Sequence, residues 1–264
     1  MKHSDLSEHP QAQYWNAISD YYRHITRIDA DDFHYGPLLA GERKLCLLPP
    51  LVAGMTALEL GCGEGQNSRW LARKGLKCIA VDISEGQLEY ARRDAEAEGL
   101  SIDFRQGTIE AFEVNEESFD LITSSHAFEF VEQPFEQIKR IARWLKPGGT
   151  LMISTVHPVY NGEWVSADEE DGTETWGRLL VNYFTPIDDV REQPTGEGQP
   201  VVSRAYPVSA WFNAFRAAGL VVDRIEEPPA SQTPAYASDD WLEAMQECSA
   251  IPTTIILVGY KPKV

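Results

Sequence analysis

The chain has little positive charge. Its 264 residues include 23 lysines and arginines against 41 aspartates and glutamates, which gives a formal net charge of −18 at pH 7. A chain this acidic repels the phosphate backbones of DNA and RNA unless a local basic patch overrides the field. The densest basic pairs, Arg92 with Arg93 and Lys139 with Arg140, fall in predicted helices, where they are typical of solvated faces. We therefore expect no nucleic-acid partner.

Cysteines and long apolar runs are also scarce. The four cysteines, Cys46, Cys62, Cys78 and Cys248, include no Cys-x-x-Cys pair and no metal-site spacing, so we expect reduced thiols and no bound metal. No run approaches the roughly 20 apolar residues that cross a bilayer, and residues 1–10 are polar without a signal-peptide core. The composition therefore favours a cytoplasmic protein that makes no use of a membrane.

What the chain does have is an alternation of apolar runs and helical stretches. This alternation predicts an α/β fold with right-handed crossovers and a mainly parallel sheet covered on both faces. In such sheets ligands bind outside the carboxyl ends of the strands. Gly61, Asp82, Thr108 and Ser124 each fall just past a predicted strand, so we expect them to meet at one edge. The runs are residues 55–60, 77–82, 119–123 and 150–156, and the helical stretches are residues 64–74, 85–98 and 134–144.

The segment LELGCGEGQNSRWLARKG, residues 58–75, is the most informative part of the chain. An apolar run that ends in a glycine loop and opens into a helix brings backbone N–H groups close to a ligand. Asp82, at the end of the next apolar run, is placed to accept hydrogen bonds from ribose hydroxyls. This layout predicts a nucleoside-binding site.

The spacing of the glycines argues against a dinucleotide. Gly61, Gly63 and Gly65 are spaced Gly-x-Gly-x-Gly, and Gln66 stands where the third glycine of the pyrophosphate fingerprint would fall. Glu64 adds negative charge where a pyrophosphate would disfavour it. A nucleoside joined to its tail by an uncharged linkage is therefore the better prediction, and a nicotinamide enzyme is the weaker alternative.

These residues resemble the class I S-adenosylmethionine-dependent methyltransferases. In that family ELGCGEG is similar to the cofactor loop, and VDIS, residues 81–84, to the segment with the ribose-binding acid. The likeness continues in order through RQGTIEAF (105–112), which resembles the adenine-binding turn, and ESFDLITSSHAFEFVE (117–132), which resembles the fourth strand and its loop. LKPGGTLMIST (145–155) resembles the turn into the fifth strand, so the likeness covers roughly residues 50–156.

The resemblance implies a Rossmann-like, doubly wound, mainly parallel seven-stranded sheet with an antiparallel last strand. It implies S-adenosyl-L-methionine as cofactor and S-adenosyl-L-homocysteine as product. Residues 220–227 and 253–260 are expected to form the last two strands, and Thr108 stands where the family commonly has an aspartate. The implied cofactor-binding residues are Glu59, Gly61, Cys62, Gly63, Asn67, Asp82, Ile83, Gln87, Thr108, Ile109 and Ser124, with Tyr22 and Tyr35.

Beyond this core the pattern predicts a single domain in four parts. Residues 1–50 form an N-terminal helical cap, residues 51–156 the cofactor-binding core, residues 157–206 a substrate-lid insertion, and residues 207–264 the C-terminal part of the sheet. The cap begins with an amphipathic helix over residues 10–25, because its apolar residues recur at three- and four-residue spacings. Those residues are Tyr14, Ile18, Tyr21, Tyr22 and Ile25.

The lid is irregular and acidic. We expect a strand at residues 179–185 with residues 201–206 as its partner, and pocket walls made of aromatic side chains. The acidic field favours an amine as substrate, although such runs are usually just solvated surface. The aromatic side chains are Tyr160, Trp164, Tyr183, Phe184 and Tyr206, and the acidic residues are Glu163, Asp168, Glu169, Glu170, Asp171 and Glu174.

Methyl transfer requires a nucleophile held in line behind an electrophilic methyl group, with water excluded. His126 and His157 follow the fourth and fifth predicted strands and are the candidate general bases, with Glu129 as an alternative. For a neutral amine, positioning alone suffices and no base is needed. The partner of the cofactor carboxylate is left open among Tyr14, Tyr22, Tyr35 and Arg43.

The favoured function is methyl transfer to an oxygen or nitrogen atom of a small molecule. Two alternatives stay open: a methyltransferase acting on a protein or peptide, and a non-catalytic cofactor-binding partner subunit. A monomer or a homodimer is expected. The fold does not determine the acceptor, since the same cofactor half serves many acceptors.

Overall fold

The computed structural model describes residues 6–168, 172, 174–194, 196, 198–243 and 250–263. The elements of this part are, in chain order, α1 (Pro10–Ile25), β1 (Thr26–Ile28), α2 (Glu42–Leu45), β2 (Thr56–Leu60), α3 (Gln66–Arg73), β3 (Lys77–Asp82), α4 (Glu85–Ala97), β4 (Ile102–Gln106), β5 (Phe119–Ser125), α5 (Pro134–Trp144), β6 (Leu145–Val156), β7 (Glu163–Asp168), β8 (Glu174–Leu179), β9 (Asp189–Arg191), β10 (Val201–Ser203), α6 (Val208–Ala217), β11 (Val221–Glu226), β12 (Tyr236–Ser238), α7 (Asp239–Glu243) and β13 (Thr254–Tyr260).

A seven-stranded sheet organises the fold. Its strand order is β11-β13-β6-β5-β2-β3-β4. The pairs among β2 to β6 are parallel, and β13 runs antiparallel to both of its neighbours. The mainly parallel seven-stranded sheet with an antiparallel last strand is therefore confirmed. Strand β4 was not among the apolar runs identified in the sequence, because its residues IDFRQ alternate with charge at the edge of the sheet.

Both faces of the sheet are covered, which explains the continuous apolar runs in its central strands. One face packs against α5 and α6 through a cluster that includes Ile141, Trp144 and Trp211. The other face packs against α3 and the segment before α2, with Phe33 and Trp70 in its cluster. This is the doubly wound arrangement predicted from the alternation of elements.

The amphipathic N-terminal helix is present as α1, and it lies against α4. Asn16 attaches it there: its Oδ1 accepts hydrogen bonds from the Ser84 hydroxyl at 2.8 Å and from the Gly86 N–H at 3.0 Å. Tyr14 and Ile18 are buried as predicted, whereas Tyr21 is 47% exposed. The helix is therefore fastened at the carboxyl edge of the sheet, beside the first turn of α4.

The segment predicted as a lid contains two antiparallel ribbons, β7 with β8 and β9 with β10. The strand predicted at residues 179–185 is wrong, because β8 ends at Leu179 and the following residues turn. Asn182 Oδ1 accepts a hydrogen bond from the Thr185 N–H at 3.3 Å, a turn contact that competes with a strand. The partner predicted for residues 201–206 is also wrong, since β10 pairs with β9 instead.

Some predictions fall on residues that the structure does not describe. Glu169, Glu170, Asp171 and Cys248 lie outside the described residues, as do the side chains of Trp164 and Asp168. Within the described part, no helix combines the length and apolar character needed to span a bilayer.

Candidate active site

A cleft opens at the carboxyl ends of β2, β3, β4 and β5, with α1 along one side. It encloses about 1020 Å³ together with the open space at its mouth. Its lining comprises Gln11, Trp15, Tyr22, Ile28, His34, Glu59, Gly61, Cys62, Gly63, Glu64, Gln66, Val81, Asp82, Ile83, Gln87, Gly107, Thr108, Ile109, Glu110, Ser125, His126, Ala127, Phe130, Val131 and Tyr236.

The glycine loop forms the floor of the cleft. Gly61, Gly63 and Gly65 have φ values of 71°, 53° and 71°, in the left-handed region that disfavours other residues. A Cβ atom on Gly61 would lie 2.2 Å from the Cβ of Ala127. At Gly63 the nearest atom to such a Cβ would be Gln87 Oε1, at 3.8 Å, so the missing side chain leaves open space on the cleft. The loop thus exposes backbone at the site.

Asp82 stands at the end of β3 and faces the loop. Its Oδ2 accepts a hydrogen bond from the Gly63 N–H, and its Oδ1 accepts one from the Ser84 N–H, both at 2.8 Å. Burial raises the pKa of Asp82, and these backbone donors oppose the shift. Each carboxylate oxygen keeps acceptor capacity for a further donor, such as a ribose hydroxyl.

Glu59, at the end of β2, is buried without a cationic partner. Burial raises its pKa to about 8, and the hydrogen bond that it accepts from the Ser68 hydroxyl opposes the rise. Cys62, two residues beyond the strand, is also buried, and burial raises the pKa of its thiol. A protonated thiol at this position is a small space-filling group and not a nucleophile.

The turn after β4 supplies the far wall. Thr108 Oγ1 accepts a hydrogen bond from the Ala111 N–H at 3.0 Å, so the hydroxyl that replaces the family's aspartate shapes the turn. Ile109 is buried beside it, and Gln87 lines the cleft from the first turn of α4. The turn therefore offers an apolar surface next to Asp82 and Ile83.

His126 lies on the opposite side of the cleft, just after β5. Its φ of 54° is unusual for a residue with a side chain, and both ring nitrogens are engaged. Nδ1 lies 3.0 Å from Glu129 Oε1, and Nε2 lies 3.0 Å from Thr254 Oγ1. Burial is the largest single influence and raises the pKa of Glu129, but His126, a backbone hydrogen bond and Arg191 together hold that pKa below its ordinary value.

A second histidine, His34, lines the cleft beside His126 and was missed in the sequence. It precedes Tyr35 in the segment between β1 and α2, and its ring packs edge-on against Tyr236 with centroids 5.1 Å apart. Burial, together with the nearby His126, lowers the pKa of His34 to about 3. The ring is therefore neutral at physiological pH.

Several predicted site residues do not line the cleft. His157 is buried, with Nε2 2.6 Å from Glu227 Oε1 and Nδ1 accepting a hydrogen bond from the Val159 N–H, so both nitrogens are engaged elsewhere. Ser124 points its hydroxyl at the Leu60 carbonyl, 2.8 Å away, while its neighbour Ser125 lines the cleft. Adjacent residues of a strand point to opposite faces of the sheet, which explains why the side chain of Ser125 lines the cleft and that of Ser124 does not.

Asn67 and the residues proposed to bind the cofactor carboxylate also divide into those that line the cleft and those that do not. Asn67 is buried and bonded to the backbone of His34, so it shapes the site indirectly. Tyr22 lines the cleft, whereas Tyr14 packs in a separate cluster with Ile18. The Tyr35 hydroxyl donates to Glu42. Arg43 donates to the Asp31 carbonyl at 2.5 Å.

The aromatic side chains predicted as pocket walls do not line the cleft, as far as the structure describes them. Phe184 is 81% exposed, and Tyr206 packs against Phe135 and Trp211. The aromatic walls come instead from Trp15, Tyr22, Phe130 and Tyr236, of which only Tyr22 was identified in the sequence. The helical spacing of α1 was the signal available for Trp15, which lies seven residues before Tyr22. Across the described ranges, no group of three or more histidine, cysteine, aspartate or glutamate residues is arranged to hold a metal ion.

Comparisons with known proteins agree with this geometry. A family model described as a methyltransferase domain matches residues 58–153. A crystal structure of an S-adenosylmethionine-dependent methyltransferase from Mesorhizobium loti is 25% identical, covers 81% of this chain and 94% of its own, and gives a TM-score of 0.63.

Curated relatives match between 39% and 54% of the chain. A ubiquinone biosynthesis O-methyltransferase from Actinobacillus pleuropneumoniae is 41% identical over 109 residues, which are 39% of this chain and 47% of that protein. One of the same name from Cereibacter sphaeroides is 31% identical over 152 residues, 54% of this chain and 62% of that protein. The chain thus spans 47–62% of these relatives. Residues 58–153 thus match a methyltransferase domain, and the chain is similar in sequence and fold to S-adenosylmethionine-dependent methyltransferases.

Proposed function

We propose that this protein is an S-adenosylmethionine-dependent methyltransferase that acts on an oxygen atom of a small molecule. The observation that carries the proposal is the cleft itself, in which a glycine loop and Asp82 face a pair of histidines. The names of the relatives support methyl transfer to oxygen.

The residues of the cleft fit an adenosyl cofactor with an uncharged linkage. Gly61 and Gly63 let the tail approach the backbone, and Asp82 takes the ribose hydroxyls. Ile83 and Ile109 pack on the adenine, with Thr108 and Gln87 at its edge. Arg23 is paired with Glu64 of the loop, so this cation is not free to favour a pyrophosphate.

The protein then has to position the acceptor. S-adenosylmethionine, when bound, supplies a methyl group that is already strongly electrophilic. The chain's own contribution is to hold the acceptor in line and exclude water. Since Asp82 and Thr108 occupy the β3 and β4 side of the cleft, the acceptor is assigned to the β5 side, where His34 and His126 lie.

Oxygen is favoured over an ammonium nitrogen by the charges of the described residues. Glu129 is already hydrogen-bonded to His126, and burial raises the pKa of Glu59 to about 8, which favours its neutral form. The described acidic residues of the insertion, such as Glu163 and Glu174, are exposed and do not line the cleft. An amine would thus find no uncompensated carboxylate at the acceptor side. The division of the chain into cap, core, lid and C-terminal part stays a proposal, as does a monomer or homodimer.

Calorimetric titration tests the cofactor assignment. S-adenosylhomocysteine should bind with micromolar affinity, and NADH, run as the control, should not bind. Binding of NADH instead would contradict the proposal. Binding of neither would favour a partner subunit or a cap that needs an acceptor before it orders.

A further inference from the structure

We propose that His34 binds the methyl acceptor by accepting a hydrogen bond from the hydroxyl group of a planar aromatic molecule. This inference rests on the methyltransferase activity proposed above. It assigns the acceptor contact to a residue from the segment between β1 and α2, far in sequence from the glycine loop and from His126.

The first observation is an unsatisfied ring. His34 is 9% exposed and lines the cleft, and neither ring nitrogen has a hydrogen-bond partner in the described part of the chain. Its Nδ1 is closed off from solvent, so Nε2 is the nitrogen that a ligand in the cleft can reach. Buried polar atoms without a partner are rare in folded proteins, and one at a binding cleft indicates a group that the ligand supplies. A neutral imidazole has one nitrogen that accepts and one that donates, so it suits a hydroxyl group.

The second observation is that the chain holds this residue rigidly. Asn67 pairs with the His34 backbone in both directions: its Oδ1 accepts from the N–H at 2.9 Å, and its Nδ2 donates to the carbonyl at 3.0 Å. The Ser125 hydroxyl donates to the same carbonyl at 3.2 Å. His34 is therefore attached to the first turn of α3, which follows the glycine loop, and to the end of β5.

The third observation separates the two histidines. Both nitrogens of His126 are engaged, by Glu129 and by Thr254, so its ring has a structural position before any acceptor arrives. A Cβ on Gly36 would lie 2.3 Å from His126 Cδ2 and Nε2, so the segment that carries His34 closes directly over that ring. His126 orients the site, and His34 is the ring left for the acceptor.

The walls around His34 indicate a planar acceptor. Tyr236 packs edge-on against it, and the rings of Trp15 and Phe130, whose centroids are 5.5 Å apart, also line the cleft. Flat aromatic walls favour an aromatic ligand through edge and face contacts. The carboxylates nearby are hydrogen-bonded to a histidine or favour their neutral form, as argued above, so a neutral hydroxyl suits the site better than an ammonium group.

The transfer step balances with this assignment. A bond forms between the hydroxyl oxygen and the methyl carbon, the bond from that carbon to sulfur breaks, and its electron pair stays on sulfur. The hydroxyl proton becomes strongly acidic as the new bond forms. A weakly basic, neutral His34 can therefore accept it late in the step and pass it to water.

The test compares His34→Phe, which keeps a ring of similar shape, with His34→Gln, which keeps a hydrogen-bonding group. His24→Gln is the matched control, since His24 is exposed on α1. The acceptors are catechol and 2-methoxyphenol, with benzylamine and aniline as the nitrogen counterparts. Calorimetry with S-adenosylhomocysteine reports whether each variant is folded and binds cofactor.

We expect the wild-type protein to methylate the phenols in preference to the amines. His34→Phe should raise KM for the phenols at least about tenfold, the effect of roughly one hydrogen bond, while affinity for S-adenosylhomocysteine stays within about twofold. His34→Gln should recover part of that loss, and His24→Gln should behave as wild type. In the wild-type complex with S-adenosylhomocysteine, catechol should shift the ring resonances of His34 in NMR spectra.

Three results would overturn the inference. The first is a KM for the phenols in His34→Phe that equals that of the wild type, and the second is that catechol leaves the His34 resonances unshifted. The third is that the wild-type protein prefers the amines or does not methylate the phenols. Each of these counts only while cofactor binding holds. Failure of the wild type to bind S-adenosylhomocysteine would instead remove the proposed function, and this inference with it.

Discussion

Glu59 on the cofactor side of the cleft and Glu129 beside His126 are both buried, yet these two carboxylates behave in opposite ways. Glu59, on the cofactor side, has no cationic partner, and burial raises its pKa to about 8. Glu129, on the acceptor side, is buried as deeply, yet His126, a backbone hydrogen bond and Arg191 together hold its pKa below its ordinary value. Burial alone therefore does not determine charge at this site; the neighbouring groups do.

The same contrast extends to how the halves are built. The cofactor half consists of backbone exposed by glycines and one acid from the next strand, all within residues 59–109. The acceptor half gathers side chains from α1, the segment after β1, the end of β5 and β12. Changes in the first half should alter cofactor affinity, and changes in the second should alter acceptor binding or the stability of the ion pair.

The largest effect is expected for His126→Ala. It removes the ring from Glu129 Oε1 and leaves the Thr155 hydroxyl, which donates to Oε2 at 3.0 Å. Removing one partner of a buried charged pair typically costs about 3–5 kcal/mol of unfolding free energy at pH 7. The lowered pKa of Glu129 means that its contribution is present above the ordinary value of 4.5 and is lost as the pH falls below it. Urea denaturation between pH 3 and pH 7 measures both. The double variant with Glu129→Gln should recover part of the loss, and no recovery would contradict the pairing.

Gly61→Ala tests whether the cofactor half needs the close backbone approach that a glycine allows. The added methyl group meets Ala127 in a left-handed conformation, so strain and overpacking together should cost about 2–4 kcal/mol. The control is Gly99→Ala, whose φ is 67° but where nothing lies within 4 Å, so only about 1–2 kcal/mol is expected. If both variants lost the same unfolding free energy in urea denaturation, the close approach to Ala127 would not explain the loss in Gly61→Ala.

Asp82→Ala tests the nucleoside half directly. It should weaken binding of S-adenosylhomocysteine by roughly 1.5–3 kcal/mol, the value of hydrogen bonds to a charged acceptor. Titration calorimetry measures the change, with His34→Gln as the comparison that should keep its affinity. Unchanged affinity in Asp82→Ala would show that another group holds the ribose.

Glu59→Gln tests the uncompensated carboxylate. Because the folded pKa is raised from 4.5 to about 8, the contribution of protonated Glu59 is full below pH 4.5 and is lost as the pH rises through 8. Glutamine has no such dependence, so its stability relative to wild type should grow by about 1.4 kcal/mol per pH unit in that window. A constant difference between pH 5 and pH 8 would mean that Glu59 is ionised in the folded protein.

The smallest effect is expected for His157→Gln. Its ring is engaged by Glu227 and Val159 outside the cleft, so turnover of a phenol should stay within about twofold of wild type. A steady-state assay at saturating cofactor measures this. A loss of about a hundredfold would return His157 to the role of general base that its position after the fifth strand predicted.

The cofactor half was largely predictable from the sequence because its signals are local. The glycine spacing and Asp82 at the end of an apolar run each follow from a few consecutive residues. A parallel sheet then places all strand ends at one edge, which is why these residues meet in the cleft. The strand predicted at residues 179–185 failed because its apolar residues are exposed and Asn182 forms a turn.

The acceptor half was decided only by the tertiary structure. His34, His126 and Tyr236 lie far apart in the chain, and no periodicity links them. They meet because Asn67 and Ser125 hold the His34 backbone, and because β12 pairs with β1 to bring Tyr236 beside it. By itself, then, the sequence determined the sheet, its binding edge and the groups that face the nucleoside. Long-range packing determined which side chains close over that edge, since contacts between distant segments leave no local pattern.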